Sequence, residues 1–292
     1  MKNLFSYAKF TSRRLRYKLG ARPIKSSFPF LSGDTYRMTC DVDASSRGEL
    51  SRISIASDSI FTTPDQLQNL VDFLNATGLS LPESCLVIHN GDAIPDFTTM
   101  DFLSTKFMRI YSTNWLGSHP KIVPIPIGLE NIRFLRNGIP SDFKRLRPRN
   151  RIEFSDRPID LLVAFSLHTN PVERRAALSA ARMVPGVKIV QNFIYPYEYL
   201  ELVSRSKFVL SPPGNGPDCH RTWESIYLGA VPIVLESAWP FKDFNLPVAQ
   251  VSKWEDILSV VKGGKVFEFP SPEQIHDLFS PKFGVENRRS PN

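Results

Sequence analysis

The sequence predicts an α/β protein of two Rossmann-like β/α domains facing a cleft, and three observations lead there. From Ser51 onward, short apolar runs alternate with helix-like stretches. Some runs are continuously apolar, as in Asp160–Phe165, which suits strands of a parallel sheet buried on both faces. A charged interval at residues 139–158, holding Pro140, Pro148 and Pro158, separates two such series and reads as a linker or exposed excursion. The expected division is a leader at 1–30, a first domain at 31–150, a second at 151–270 and a tail at 271–292.

In the first series the expected strands are Arg52–Ala56, Cys85–His89, Phe107–Tyr111 and Lys121–Ile125. Between the first two, Pro64 opens a helix with Leu67, Leu70, Val71 and Leu74 on one face, spaced by threes and fours. That is β-α-β order at the length of a parallel crossover. Pro124 and Pro126 stiffen the Ile-Pro-Ile stretch, which suits a hinge or a sheet edge. The second series reads as strand Asp160–Phe165, helix Pro171–Met183, strand Val187–Val190 and helix Tyr197–Ser204. Strand Lys207–Leu210, helix Asp218–Leu228, strand Val231–Leu235 and helix Lys253–Val261 complete it.

The chain of 292 residues carries a formal charge of +7. Eight of its bases, Lys2, Lys9, Arg13, Arg14, Arg16, Lys18, Arg22 and Lys25, fall in the first 25 residues, which hold no acid. The remaining body has 28 bases against 29 acids, so its charge is −1 and nucleic acid is not an expected partner. The leader is roughly amphipathic if helical, through Phe5, Tyr7, Phe10, Leu15 and Tyr17. It reads either as a peripheral contact with an anionic membrane or as a solvated tail. Its removal is expected to change membrane sedimentation and to spare chemistry in the body. It lacks the apolar core of a secretory signal, and no stretch reaches the ~20 apolar residues of a membrane span. Cys40, Cys85 and Cys219 are too few and too scattered for a disulfide framework or a zinc site. A cytoplasmic setting is expected.

Chemistry concentrates in Lys207–Val234, KFVLSPPGNGPDCHRTWESIYLGAVPIV. A buried strand runs into a stiff loop containing Gly214, Asn215 and Gly216, and Asp218 is placed to cap the following helix. The free amides of that helix start suit a phosphate, and Arg221 can add a bidentate contact to a diphosphate. Glu224, three residues on, is placed to accept hydrogen bonds from ribose hydroxyls. An ordinary β-turn-α unit with a surface Arg–Glu pair is the bland alternative. His220 either contacts the nucleotide or pairs with Glu224. Ser166, His168, Thr169 and Asn170 form a polar loop after the Asp160–Phe165 strand, with Asn170 also placed to cap the Pro171 helix. No Gly-x-x-x-x-Gly-Lys occurs, and Pro217 interrupts the only partial dinucleotide fingerprint. Asp41-Val42-Asp43 lies before the first good β-α-β unit, so no metal site is expected there.

The segment resembles the nucleotide-sugar-binding core of exostosin-like glycosyltransferases, which have the GT-B fold, and more distantly that of fucosyltransferases. The shared pattern is an apolar strand, a Pro/Gly loop ending in Asp, Arg and Glu three apart, then Leu-Gly and a small residue before Pro. Asp160–Arg175 looks like the first strand and loop of the nucleotide-sugar half, and Ile125–Asn131 like the hinge-proximal end of the acceptor half. The resemblance covers Leu86 to Leu235, about half the chain. It implies a UDP-linked sugar as substrate, a glycan acceptor, inversion at the anomeric carbon, and neither metal nor other cofactor.

Such a reaction needs a base for the acceptor hydroxyl and positive charge for the leaving diphosphate. Arg221, the helix start after Gly216, and Arg174 or Arg175 meet the second need. For the base, Asp92 is preferred to His89 because Gly91 frees the chain to aim a carboxylate, although His89-Asn90-Gly91-Asp92 is also strong turn chemistry. Asp34 is a third candidate. A catalytically silent nucleotide- or glycan-binding protein is the alternative function.

Overall fold

The computed structural model describes residues 7–13, 15, 25–149 and 152–281. Two five-stranded parallel sheets carry the fold, each flanked by helices, in the two-domain Rossmann-type arrangement expected. The first contains β1 (Val42–Asp43), β2 (Ser59–Thr62), β3 (Leu81–Ile88), β4 (Phe107–Ser112) and β5 (Ile122–Pro124), side by side in sequence order. The second contains β6 (Ile159–Val163), β7 (Lys188–Ile189), β8 (Ser206–Leu210), β9 (Val231–Leu235) and β10 (Ala249–Val251), ordered β10-β9-β8-β6-β7. Its order reverses between β6 and β8, so the loops leaving their carboxyl ends diverge and open a crevice, where ligands of open α/β sheets sit.

The first sheet shows why its strands belong there. Ile60, Leu86, Ile88 and Ile110 face the helices Leu67–Thr77 and Phe97–Lys106, packing on Leu70, Leu74, Met100 and Leu103. Their neighbours Phe61, Val87 and Tyr111 point the other way, into a core that also takes in Trp223, Tyr227, Val209 and Leu200 of the second half. The two halves therefore share one continuous apolar core below the cleft. Cross-half hydrogen bonds reinforce it: Leu31 N–H donates to the Tyr227 hydroxyl at 3.0 Å and Ile127 N–H to Asp218 Oδ2 at 2.9 Å.

Several expectations need correction. Arg52–Ala56 is not a strand: a 3-10 turn covers Arg47–Arg52, Ile55 is 83% exposed, and the ladder forms at Ser59–Thr62. β2 is buried on both faces, so it lacks the alternation that Ile53 and Ile55 imitate. The interval 139–158 is not a bare linker, because Pro140–Arg149 is a helix burying Phe143 and Leu146. Its Pro140 stands at the first helical turn, where no amide hydrogen is needed. Pro272–Phe279 is likewise a helix, held by a Ser271–Gln274 capping box, whose Ile275 and Phe279 join the shared core. Asp218 does not cap the helix expected from it. That helix spans His220–Tyr227, Cys219 is the cap residue, and no side chain caps it. Asp218 instead accepts from Ile127 N–H and Trp223 Nε1, because burial leaves its carboxylate only these local donors.

Candidate functional site

A cleft of about 1580 Å³ opens at the carboxyl ends of β6 and β8, lined by loops from both halves. Its floor is the start of the helix His220–Tyr227. Arg221 Nε donates to the Ala164 carbonyl at 3.3 Å, and its guanidinium lies 5.3 Å from the Phe165 ring centre. Arg174 stands 5.7 Å from the same ring. Phe165 thus offers both guanidinium groups a cation–π contact that offsets part of their mutual repulsion. Arg174 is 6% exposed and ties loops together: Nε donates to the Pro213 carbonyl at 3.0 Å, and Nη1 to the Ser166 carbonyl and to Thr169 Oγ1. Burial, aided by Arg221, lowers its pKa. Gly214 is required beneath it, since an added Cβ would come within 2.9 Å of Arg174 Nη2.

Glu224 carries the strongest signal. It is 2% exposed, lines the cleft, and its Oε1 has no hydrogen-bond partner. Burial raises its carboxyl above the ordinary range, opposed by His220 and Arg221. The Tyr199 hydroxyl stands beside it, close enough to interact with the carboxylate, and burial with the Glu224 charge pushes that phenol up. Buried polar groups are nearly always paired, so a buried carboxylate facing a cleft with one oxygen left over marks a place open to donors from outside. His220 does not pair with Glu224; its Nδ1–H donates to the Gly128 carbonyl of the first half at 2.7 Å.

Of the expected residues, Ser166, His168, Arg174, Arg175, Gly214, Asn215, Gly216, Asp218, His220, Arg221 and Glu224 all line this cleft, as does Asp92. Asn170 stands behind it: Oδ1 accepts from Glu173 N–H as a helix cap, and Nδ2 donates to the Gly214 carbonyl at 3.3 Å. Asp92 Oδ2 accepts from Asn215 Nδ2 at 2.9 Å across the cleft. Gly216 fits so closely there that a Cβ would meet Asn114 Nδ2 at 2.8 Å and the Asp92 carbonyl at 3.0 Å.

His89 and Asp34 do not line the cleft. His89 is 1% exposed, with Nδ1 accepting from Asn90 N–H at 2.6 Å and Nε2–H donating to the Pro126 carbonyl at 3.1 Å. Burial pushes its imidazole down to about 4, and both nitrogens are already engaged. Asp34 is fully buried with both carboxylate oxygens unpartnered, and burial raises its pKa against the pull of Arg133 and Arg37. Asp41 and Asp43 serve the first sheet: Asp41 Oδ2 accepts from Ser59 N–H and Oγ, and Asp43 pairs with Arg37 at 3.6 Å. Among the described residues, no three His, Cys, Asp or Glu side chains cluster as metal ligands.

Sequence reasoning missed Phe165 as the shared cation–π partner of the two arginines, Tyr199 as the neighbour of Glu224, and Glu130, Arg136 and Arg182 of the cleft wall. Glu130 lies within the Ile125–Asn131 segment singled out above, so its neighbourhood was visible. The others sit on helices and loops whose pattern says nothing of what they face.

No protein-family model matches the chain, and no curated protein matches it. Among solved structures, the UDP-GlcNAc 2-epimerase of Methanocaldococcus jannaschii is similar at 11% identity and a TM-score of 0.38, over 80% of this chain and 79% of that one. The same enzyme in complex with UDP-GlcNAc and UDP matches at 10% identity and a TM-score of 0.39, over 80% and 76%. Likeness at this level carries no functional argument, and the fold assignment rests on the two parallel sheets themselves. Among the described residues, no helix is long and apolar enough to cross a membrane.

Proposed function

We propose that this protein is an inverting, metal-independent glycosyltransferase that moves a sugar from a UDP-linked nucleotide-sugar to a glycan hydroxyl, as its resemblance to the exostosin-like family implies. The observation that carries the nucleotide-sugar reading is Glu224: a buried carboxylate with Oε1 unpartnered, three residues after Arg221, at the reversal point of the second sheet. Ribose hydroxyls would donate to Glu224. Arg221 and the first amides of its helix would hold the diphosphate, with Arg174 fixing the two loops around it. Asp92, reaching in from the first half, would take the acceptor proton while the hydroxyl oxygen attacks the anomeric carbon. The bond to the diphosphate breaks on the opposite face, and the arginines receive the charge.

One observation favours a second reading, a silent nucleotide- or glycan-binding protein. Asp92 is already hydrogen-bonded to Asn215, and His89 and Asp34 lie away from the cleft. A panel of UDP-sugars and glycan acceptors separates the two. Transfer by the wild type, lost in Asp92→Asn with UDP affinity retained, supports catalysis. UDP binding with neither transfer nor hydrolysis supports the silent protein, and no affinity for any nucleoside diphosphate removes the transferase and leaves glycan binding alone, which the acceptor panel reads directly. Peripheral contact with an anionic membrane is kept as a proposal for the leader's basic residues, tested by vesicle sedimentation.

A further inference from the structure

The leader does not hang free of the cleft. Residues 7–13 and 15 are helical, and Phe10 lines the cleft together with Leu135, Arg136, Phe193 and Pro196. The Phe10 ring centre lies 6.1 Å from that of Phe193 and 5.4 Å from that of Tyr195, and Tyr7 lies 5.9 Å from Tyr195 edge-to-face. Even with Phe10 beside it, Phe193 is 74% exposed, so much of its side chain is open to solvent at the cleft mouth. Beside Phe10 on the leader helix, Lys9 and Arg13 both ion-pair with Asp142, Arg13 at 2.6 Å. The Asp142 side chain is only 1% exposed. A carboxylate so buried is costly unless it meets cations, and the leader supplies two. Lys9 also lies 4.3 Å above the Tyr197 ring, and Arg13 Nη1 donates to the Arg136 carbonyl at 3.5 Å. The apolar and basic side chains that would lie on a membrane are here turned inward at these positions.

We propose that residues 7–13 form a strap across the end of the cleft, locked on Asp142, with Phe10 a positioning residue for the nucleotide of the bound nucleotide-sugar. The strap follows from the contacts alone; its effect on nucleotide rests on the function proposed above. The nucleotide is the assigned occupant because the strap seats on Phe193 and Tyr195. Those residues belong to the loop leaving β7, which flanks the Arg221–Glu224 floor in the same half, and an aromatic end suits a ring laid on its face. This replaces the expectation that the leader can be removed without consequence for chemistry in the body.

Chymotrypsin cleavage after Tyr7 and Phe10 of the full-length chain reads the strap directly, because cleavage follows the population of the open form. Asp142→Asn removes the buried charge, and Lys9→Ala with Arg13→Ala removes its partners from the more exposed side, so that one variant remains if the other fails to fold. Cleavage should be about tenfold faster in each variant than in wild type, since charge-assisted contacts hold the strap shut. UDP should slow wild-type cleavage, and Phe10→Ala should weaken UDP binding by about three- to tenfold with the melting temperature little changed. Equal cleavage in wild type and variants overturns the strap. Faster cleavage in the variants with unchanged UDP affinity in Phe10→Ala overturns the positioning role. No UDP binding by wild type overturns the nucleotide-sugar reading, and the cleavage ratio still decides the strap.

Discussion

Replacing Glu224 with Gln should strengthen the fold and weaken the ligand site at once. The carboxylate is 2% exposed with Oε1 unpartnered, so the empty protein holds a desolvated group that folding does not repay. Leaving such a group unpaired costs roughly 1–3 kcal/mol, so the neutral amide should raise unfolding stability by about 1 kcal/mol at pH 8. The pH dependence gives the sign. Because burial raises the carboxyl, the folded state keeps its proton where the unfolded chain has lost it. Wild-type stability therefore falls as pH rises from the ordinary glutamate range through the raised value, and a Gln chain lacks that fall. The variant's advantage should be present above the raised value and vanish in acid. Binding runs the other way. Ribose hydroxyls donating to a carboxylate make charge-assisted bonds about twice as strong as those to an amide. Losing that difference at two hydroxyls costs about 2 kcal/mol, roughly a thirtyfold weaker UDP affinity. Urea unfolding across pH and titration calorimetry with UDP measure the two halves. A Gln variant destabilised by more than ~1 kcal/mol, with UDP affinity unchanged, would refute the reasoning and make Glu224 an ordinary structural residue.

Three further outcomes are expected. Arg221→Lys keeps the charge but loses the planar fork and the stack on Phe165, so calorimetry should show UDP binding at least about tenfold weaker with near-native stability. His89 is buried neutral, its imidazole held down to about 4, so folding must release a proton in mild acid. Stability should rise by about 3 kcal/mol between pH 4 and 6.5, and a His89→Gln chain should lose that rise in urea titrations at stepped pH. Gly216→Ala forces a methyl against Asn114 and the Asp92 carbonyl, so the halves must part slightly. A loss of about 1–2 kcal/mol in unfolding stability is expected, read from a lowered urea midpoint at unchanged m.

The sequence alone determined the repeating order of strand and helix, because a strand buried on both faces must be written as a continuous apolar run and a crossover helix as a spaced one. Leu161–Val163 and Leu67–Leu74 are legible for that reason. The loop-helix containing Arg221 and Glu224 was legible too, since Pro and Gly at a strand end restrict what the backbone there can do. Local pattern fails where burial comes from elsewhere in the chain. Ile53 and Ile55 alternate convincingly yet form no ladder, and Pro140–Arg149 looks polar yet buries Phe143 against Phe30 in the shared core. The +7 charge shows the limit most plainly. Its concentration in the leader was visible at once, but two of those bases have their counter-ion in Asp142, more than a hundred residues away. Only the tertiary structure pairs them, because a buried carboxylate draws its partners from whichever segment the fold brings near. The same holds for the candidate bases. Sequence preferred Asp92 to His89 and Asp34 only through the freedom of Gly91, and it is packing that put Asp92 in the cleft and buried the other two.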